Sequence, residues 1–184
     1  MKISELKISL FIVAITLGTL WNGLSFAASK VEIDAKVNDA LKTFYNDVGV
    51  GKELAEKAAG ILVFPSVIKA GIGVGGEYGE GALRIDGKTV DYYSTAAASI
   101  GFQLGAQSKS IVILFMTREA LSNFRNSDGW EVGVDGSVAL VKIGAGGSLD
   151  TTNIKEPIIG FVFGQKGLMY NLTLEGSKIT RIKK

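Results

Sequence analysis

Between Ser99 and Gln107 the chain alternates without interruption. Ile100, Phe102, Leu104 and Ala106 fall on one side; Ser99, Gly101, Gln103, Gly105 and Gln107 fall on the other. Successive side chains of a β-strand point to opposite faces, so this run predicts a strand with one apolar face and one small or amide face. The second face is expected to line a cavity or to pack against another layer. Glu131 to Val141 repeats the pattern, with Val132, Val134, Val138 and Leu140 on the apolar side, whereas Ile111 to Met116 is apolar throughout and reads as buried on both faces. Glycine supplies 24 of 184 residues, nearly twice the usual share of about 7%. These glycines sit inside apolar alternations, which points to bends and close backbone approaches within a folded sheet.

The remaining elements follow from changes of period. Ile33, Val37, Leu41, Phe44 and Val48 recur at helical spacing, with Ser29 and Glu32 placed as a capping box. Gly49 and Gly51 break this helix, Lys52 to Ala59 forms a second, and Ile61 to Phe64 reads as a strand stopped by Pro65. Asp86-Gly87 marks a hairpin. Thr117 is placed to cap an inserted helix whose inner face holds Ala120, Leu121 and Phe124. After Pro157, Ile159–Phe163, Leu168–Leu174 and Ser177–Ile182 read as closing strands. The expected class is α+β: a curved antiparallel β-sheet or barrel-like core, two N-terminal helices and one inserted helix.

Residues 1–27 read as a signal peptide. Lys2 and Lys7 precede an apolar run from Ile8 to Leu20, and Ser25-Phe26-Ala27 offers a cleavage site. The run is short of the roughly 20 residues that cross a bilayer. The expected location is therefore exported, in the periplasm or outside the cell, with residues 28–184 as one domain. Without Lys2, Lys7 and Glu5 the chain holds 18 basic and 17 acidic residues. That balance argues against nucleic acid as a partner.

Composition also narrows the chemistry. The chain has no cysteine and no histidine. Thiolate nucleophiles, Ser-His-Asp triads and ordinary zinc sites are thereby removed, and no catalytic residue, metal or cofactor is expected. Gly71 to Gly76 formally matches G-x-G-x-x-G, but strand-like residues follow where a dinucleotide site needs a helix, so no nucleotide is expected. A bent strand is the better reading. Gly87-Lys88-Thr89 is a P-loop near miss inside a hairpin, and Glu77 with Glu80 reads as a solvated rim. The C-terminus gathers Lys178, Arg181, Lys183 and Lys184, which suits an anionic membrane surface and equally an ordinary solvated terminus. The first helix likewise reads as lying on a membrane or packing on the sheet, and its mixed charges favour packing.

Several segments, in order, resemble the SYLF domain family. They are Gly60–Pro65, Lys69-Ala70-Gly71 running into Gly75-Gly76-Glu77, and the Ser99–Gln107 alternation. Phe115-Met116-Thr117, Ala120-Leu121 with Phe124, Gly129-Trp130-Glu131, Gly167-Leu168-Met169 and Glu175–Ile179 complete the set. The resemblance implies a phospholipid-binding module with no catalytic residues; eukaryotic members take phosphoinositides and fungal relatives bind actin. For an exported bacterial protein actin is not an expected partner, and other anionic phospholipids replace phosphoinositides. Lys69, Lys178, Arg181, Lys183 and Lys184 are the expected headgroup contacts. The rival expectation is a structural or protein-binding envelope factor without a lipid ligand.

Overall fold

The computed structural model describes residues 28–72, 74–100, 105–142, 156–166, 174 and 176–184. The expected signal peptide, residues 1–27, and most of the Leu168–Leu174 strand lie outside them. Helix α1 (Lys30–Asp47) starts where Ser29 Oγ accepts the amide of Glu32 at 3.2 Å, and it buries Ile33, Val37, Ala40 and Phe44. Helix α2 (Gly51–Lys57) is short and ends where Ala58 becomes extended.

Among the described residues eight strands follow: β1 (Gly60–Ile72), β2 (Val74–Ile85), β3 (Lys88–Ile100), β4 (Gly105–Phe115), β5 (Trp130–Glu131), β6 (Ala139–Lys142), β7 (Ile158–Lys166) and β8 (Lys178–Ile182). They form one sheet in the order β5-β8-β3-β2-β1-β4-β7-β6, strongly curled into a half-barrel. Asp86 and Gly87 both take positive φ, 50° and 74°, and close the β2–β3 hairpin as its sequence indicates. The sheet is mixed rather than wholly antiparallel, because β6 runs parallel to β7. Residues 143–157 separate these two strands, a connection long enough for the crossover that parallel pairing requires.

Each face of the sheet carries its own core. On one face α1 and α2 cover Val63, Ala82, Val112, Leu114, Ile159 and Phe161. Phe44 meets Phe161 edge-on, with ring centroids 5.0 Å apart. On the other face Leu62, Phe64, Val67, Leu83, Tyr93, Ile111, Ile113 and Phe115 lie against helix α3 (Arg118–Asn126) and Trp130. Thr117 Oγ1 caps α3 by accepting the amide of Ala120 at 3.1 Å, and Phe124 packs on Phe115, Tyr93 and Trp130. Complete burial of side chains this size stabilises by about 2–3 kcal/mol each. β4 explains its apolar run directly: Ile111 to Phe115 are all buried, because cores lie on both sides.

Three strand boundaries differ from the sequence reading. β1 does not stop at Pro65 but continues to Ile72. Its register shifts between Val63 and Ser66 against β2, and between Phe64 and Val67 against β4. Proline has no N–H to give a ladder, and this bulge removes the need for one; the Pro65 carbonyl instead accepts Ser110 Oγ at 2.8 Å. Ser99–Gln107 is not one strand either. β3 ends at Ile100, β4 begins at Gly105, and β2 and β1 lie between them in the sheet. Finally, Glu131–Val141 is divided. Gly133 at φ 92° breaks it, β5 and β6 go to opposite edges of the sheet, and Val134 is exposed.

Candidate functional site

Two regions of the surface and one buried cluster hold the residues of interest. The buried cluster lies on the α3 face, where the alternations of β1 and β4 continue past their apolar residues. Two positions beyond Val67 stands Lys69; two positions before Ile111 stands Lys109, and then Gln107. Register places Lys69 opposite Glu77 on β2 and opposite Gln107 on β4. Lys69, Lys109 and Gln107 are all buried. Glu77 bridges the two lysines, with Oε1 3.4 Å from Lys69 Nζ and Oε2 2.6 Å from Lys109 Nζ. Among the described residues Lys109 Nζ makes no directed hydrogen bond, so its hold on Glu77 is chiefly one of charge. Removing Glu77 would leave two buried ammonium groups without their shared counter-ion, whereas removing either lysine would leave one matched pair.

Glu77 is thus part of the interior, and the solvated rim read from its sequence context is corrected. Glu80 is also engaged. It faces the α1 side, where Oε2 takes Lys184 Nζ at 2.8 Å and the Ala28 amide at 3.2 Å. Lys184 also donates to the Ala28 carbonyl at 3.0 Å. The last residue of the chain is therefore clamped beside the first residue described. Nothing in the spacing of Glu77 and Glu80 announces these roles, because the partners come from β1, β4 and the C-terminus.

The first surface region is the α1 face beyond the end of α1. Ile68 pairs with Tyr78, Ala70 with Gly76, Tyr78 with Ala96 and Gly76 with Ala98. All six are exposed; Ile68 retains 54% and Tyr78 53% of its full accessible surface. None carries a charge. The flanking strands do: Lys178 of β8 pairs with Ala96, Lys166 of β7 pairs with Ser108, and both lysines are exposed. Lys36 of α1 lines a groove of about 490 Å³ with Ile68, Tyr78 and Pro65.

The second surface region sits where β8 passes α3. Arg118, Ser122 and Arg125 recur at helical spacing on one side of α3, and with Leu121, Asn126 and Arg181 they line a cleft of about 450 Å³. Asp91 lies 3.1 Å from the Arg125 guanidinium and 3.7 Å from that of Arg181. Arg181 also donates to the Arg125 carbonyl at 2.9 Å and to Tyr93 Oη at 3.3 Å. Burial pushes the Tyr93 phenol above its ordinary value, and Arg181 is raised as well, chiefly through its bond to Tyr93.

The sequence-predicted residues are therefore dispersed. Lys69 lies in the interior, Lys184 in the terminal clamp, Arg181 in the arginine cleft and Lys178 at the border of the uncharged face, while Lys183 is exposed. Of the alternating face, Gln107 is buried beside Lys109, Ser99 pairs with Gly75 and Gly105 with Gly71; Gly101 and Gln103 lie outside the described residues. The G-x-G-x-x-G run is a reversal, with Gly71 opposite Gly75, and β2 rather than a helix follows it. Ile68, Tyr78, Lys109, Arg118 and Arg125 were not singled out by the sequence reading. Periodicity could have placed the two arginines on one side of α3, but not beside β8.

Residues 96–184 match the Ysc84 family model, whose description is Las17-binding protein actin regulator. No curated protein matches the chain.

Proposed function

Because residues 96–184 match the Ysc84 (SYLF) family model, we propose that the chain is a binding module, not an enzyme, and that it seats on membranes containing anionic phospholipid. The family is one of binding domains, and its Las17 and actin description stays with the family. One observation carries the lipid reading. On the far half of the sheet the usual polarity is inverted, with charged side chains buried on one face and an uncharged face exposed on the other. A sheet that meets only water arranges these the other way round.

The occupant follows from the border. Ile68 and Tyr78 form an apolar centre, small residues keep it flat, and the exposed Lys166 and Lys178 flank it, while Lys36 at its rim is paired with Glu32. Apolar contact at the acyl boundary with cations at headgroup level suits an anionic bilayer; each such cation adds about 1 kcal/mol. The seat is shallow and face-on. Beyond Ala96 the edge of β3, and before Ser108 the edge of β4, have no strand partner among the described residues on their outer sides, and open edges do not enter hydrocarbon. In this reading residues 1–27 are an export signal, and the folded surface makes the membrane contact in the cell envelope.

The absence of cysteine makes a clean test, because a single introduced thiol reports on one place. Protein purified from cells expressing the full chain, with Ala98→Cys carrying an environment-sensitive fluorophore, is mixed with phosphatidylcholine–phosphatidylglycerol vesicles. The expected result is a blue shift that grows with phosphatidylglycerol and shrinks with salt. The same probe at the exposed α3 position Asn123→Cys should stay silent. Ile68→Asp with Tyr78→Asp should weaken flotation by roughly ten-fold. Vesicle binding that leaves the Ala98 probe unchanged would overturn this surface. A shift that depends on protein concentration without vesicles would assign the face to a second copy. Capture of one protein without lipid would favour the structural or protein-binding factor.

A further inference from the structure

The arginine cleft lies on the opposite face of the sheet from the proposed membrane seat, so a bilayer under Ile68 and Tyr78 does not account for it. Three guanidiniums line it, and among the described residues Asp91 is the single carboxylate that contacts any of them. Glu119, the acid of α3 itself, lines a different cleft, with Thr117 and Asn123. Arg118 has no ion-pair partner among the described residues, and Arg125 and Arg181 share one. Their side chains remain 40% and 48% exposed, so their free N–H groups face solvent.

The arrangement is also built rather than loose. Arg181 is held by three separate groups: the phenol of Tyr93, the carbonyl of Arg125 and the carboxylate of Asp91. Tyr93 is itself fixed, because its ring is buried against Phe124 at a centroid distance of 4.9 Å. Phe124 belongs to the same helix as Arg118 and Arg125. One packed unit therefore fixes the Arg125 and Arg181 guanidiniums and the backbone that carries Arg118. Arginines oriented in advance lose less freedom when they bind, and their planar forks match the oxygens of a phosphate.

We propose that this cleft is a phosphate-binding site, specific for a terminal phosphate with two or more free oxygens. Arg118 and Arg125 grip it from α3 and Arg181 from β8, while Asp91 keeps two of the forks turned toward each other. A carboxylate ligand would meet the same charge but would leave the third guanidinium without an oxygen. The site is independent of the membrane seat and rests on different residues, so either can fail without the other. The phosphate could be borne by a soluble monoester or by a lipid headgroup presented from a second surface; the recognition chemistry is the same.

The test uses inorganic phosphate first, then glycerol phosphate, then vesicles containing phosphatidic acid, each titrated into the purified protein against chloride of matched ionic strength. Trp130, packed edge-on against Phe124 at 5.7 Å, reports on α3 by its fluorescence. The expected result is saturable binding of phosphate that chloride does not reproduce. Arg125→Gln and Arg118→Gln should each weaken it by about ten-fold, and Arg125→Lys should restore only part, because a point charge cannot replace a fork. Arg118 and Arg125 are exposed on α3, so unchanged melting without ligand confirms that both variants fold. Binding of glycerol phosphate assigns a soluble monoester. Binding seen only with phosphatidic acid vesicles, and lost in the arginine variants but not in Ile68→Asp with Tyr78→Asp, assigns a headgroup. A response to every phosphate-bearing probe, vesicles included, that chloride reproduces, or full binding by the Arg118→Gln and Arg125→Gln variants, would overturn the site.

Discussion

The two halves of the long strands β1 and β2 follow opposite rules. Near α1, Leu62, Val63, Ala82 and Leu83 are fully buried, and each face is covered by apolar side chains from a helix. Past the bulge at Pro65, the same strands bury Lys69 and Glu77 and expose Ile68 and Tyr78. Helix α1 explains the first half, since its contacts with the sheet supply what the apolar side chains need. The second half has no helix over its uncharged face among the described residues. A sheet arranged this way gains little stability from its exposed face, so that face is better explained by what it meets than by folding.

The sharpest way to break this comparison is to unfold the first half. Phe44 is fully buried and touches Phe161 and Phe163 across the α1 interface. Phe44→Ala should cost about 4 kcal/mol, read as a lower denaturant midpoint with unchanged slope. A cost below about 1 kcal/mol would mean that α1 is not the lid on which the division depends.

The second half should respond to charge instead of volume. Glu77→Gln keeps the shape but leaves Lys69 and Lys109 facing each other in the interior, and should cost about 3 kcal/mol. Replacing all three with apolar residues, Lys69→Met with Glu77→Leu and Lys109→Met, should recover most of that loss, because the desolvation of three ions then disappears. If the single and the triple variant melt together, the trio is not acting as a unit. A triple variant that is stable but does not shift vesicle binding would also separate the interior charges from the membrane seat.

How far the sequence could be read follows from the range of the interactions. Periods, caps and turns are local, and there Ser29, Thr117, Asp86-Gly87 and the apolar run of β4 were legible. The α+β class with a curved sheet followed from them. What could not be read depends on partners distant in the chain. Lys69 reads as a headgroup contact from the sequence; it is buried because register puts Glu77 and Lys109 beside it. Arg118 and Arg125 stand apart from Arg181 in the chain, and only the return of β8 brings it next to them. The alternation at Ser99–Gln107 spans the end of β3 and the start of β4, because alternation says nothing of where a chain leaves one strand for another.

The smallest effect tests how firmly α1 is tied down. Tyr92 Oη donates to Asp34 Oδ2 at 2.9 Å, a hydroxyl contact between β3 and α1 that also engages Thr89 through the other Asp34 oxygen. Burial first, and then the Asp34 carboxylate, raise the Tyr92 phenol above its ordinary value of about 10. A raised value in the folded state means that the neutral phenol is favoured there. Its stability contribution is therefore present below the ordinary tyrosine range and is lost as pH climbs through the raised value. Tyr92→Phe should cost about 1 kcal/mol at neutral pH and should blunt the alkaline loss. Tyr78 is raised too, by burial and by its bond to Glu80, but it stands on the exposed far half. Tyr78→Phe should change melting less than Tyr92→Phe. An equal effect of the two would erase the distinction between a half held by its helix and a half left uncovered.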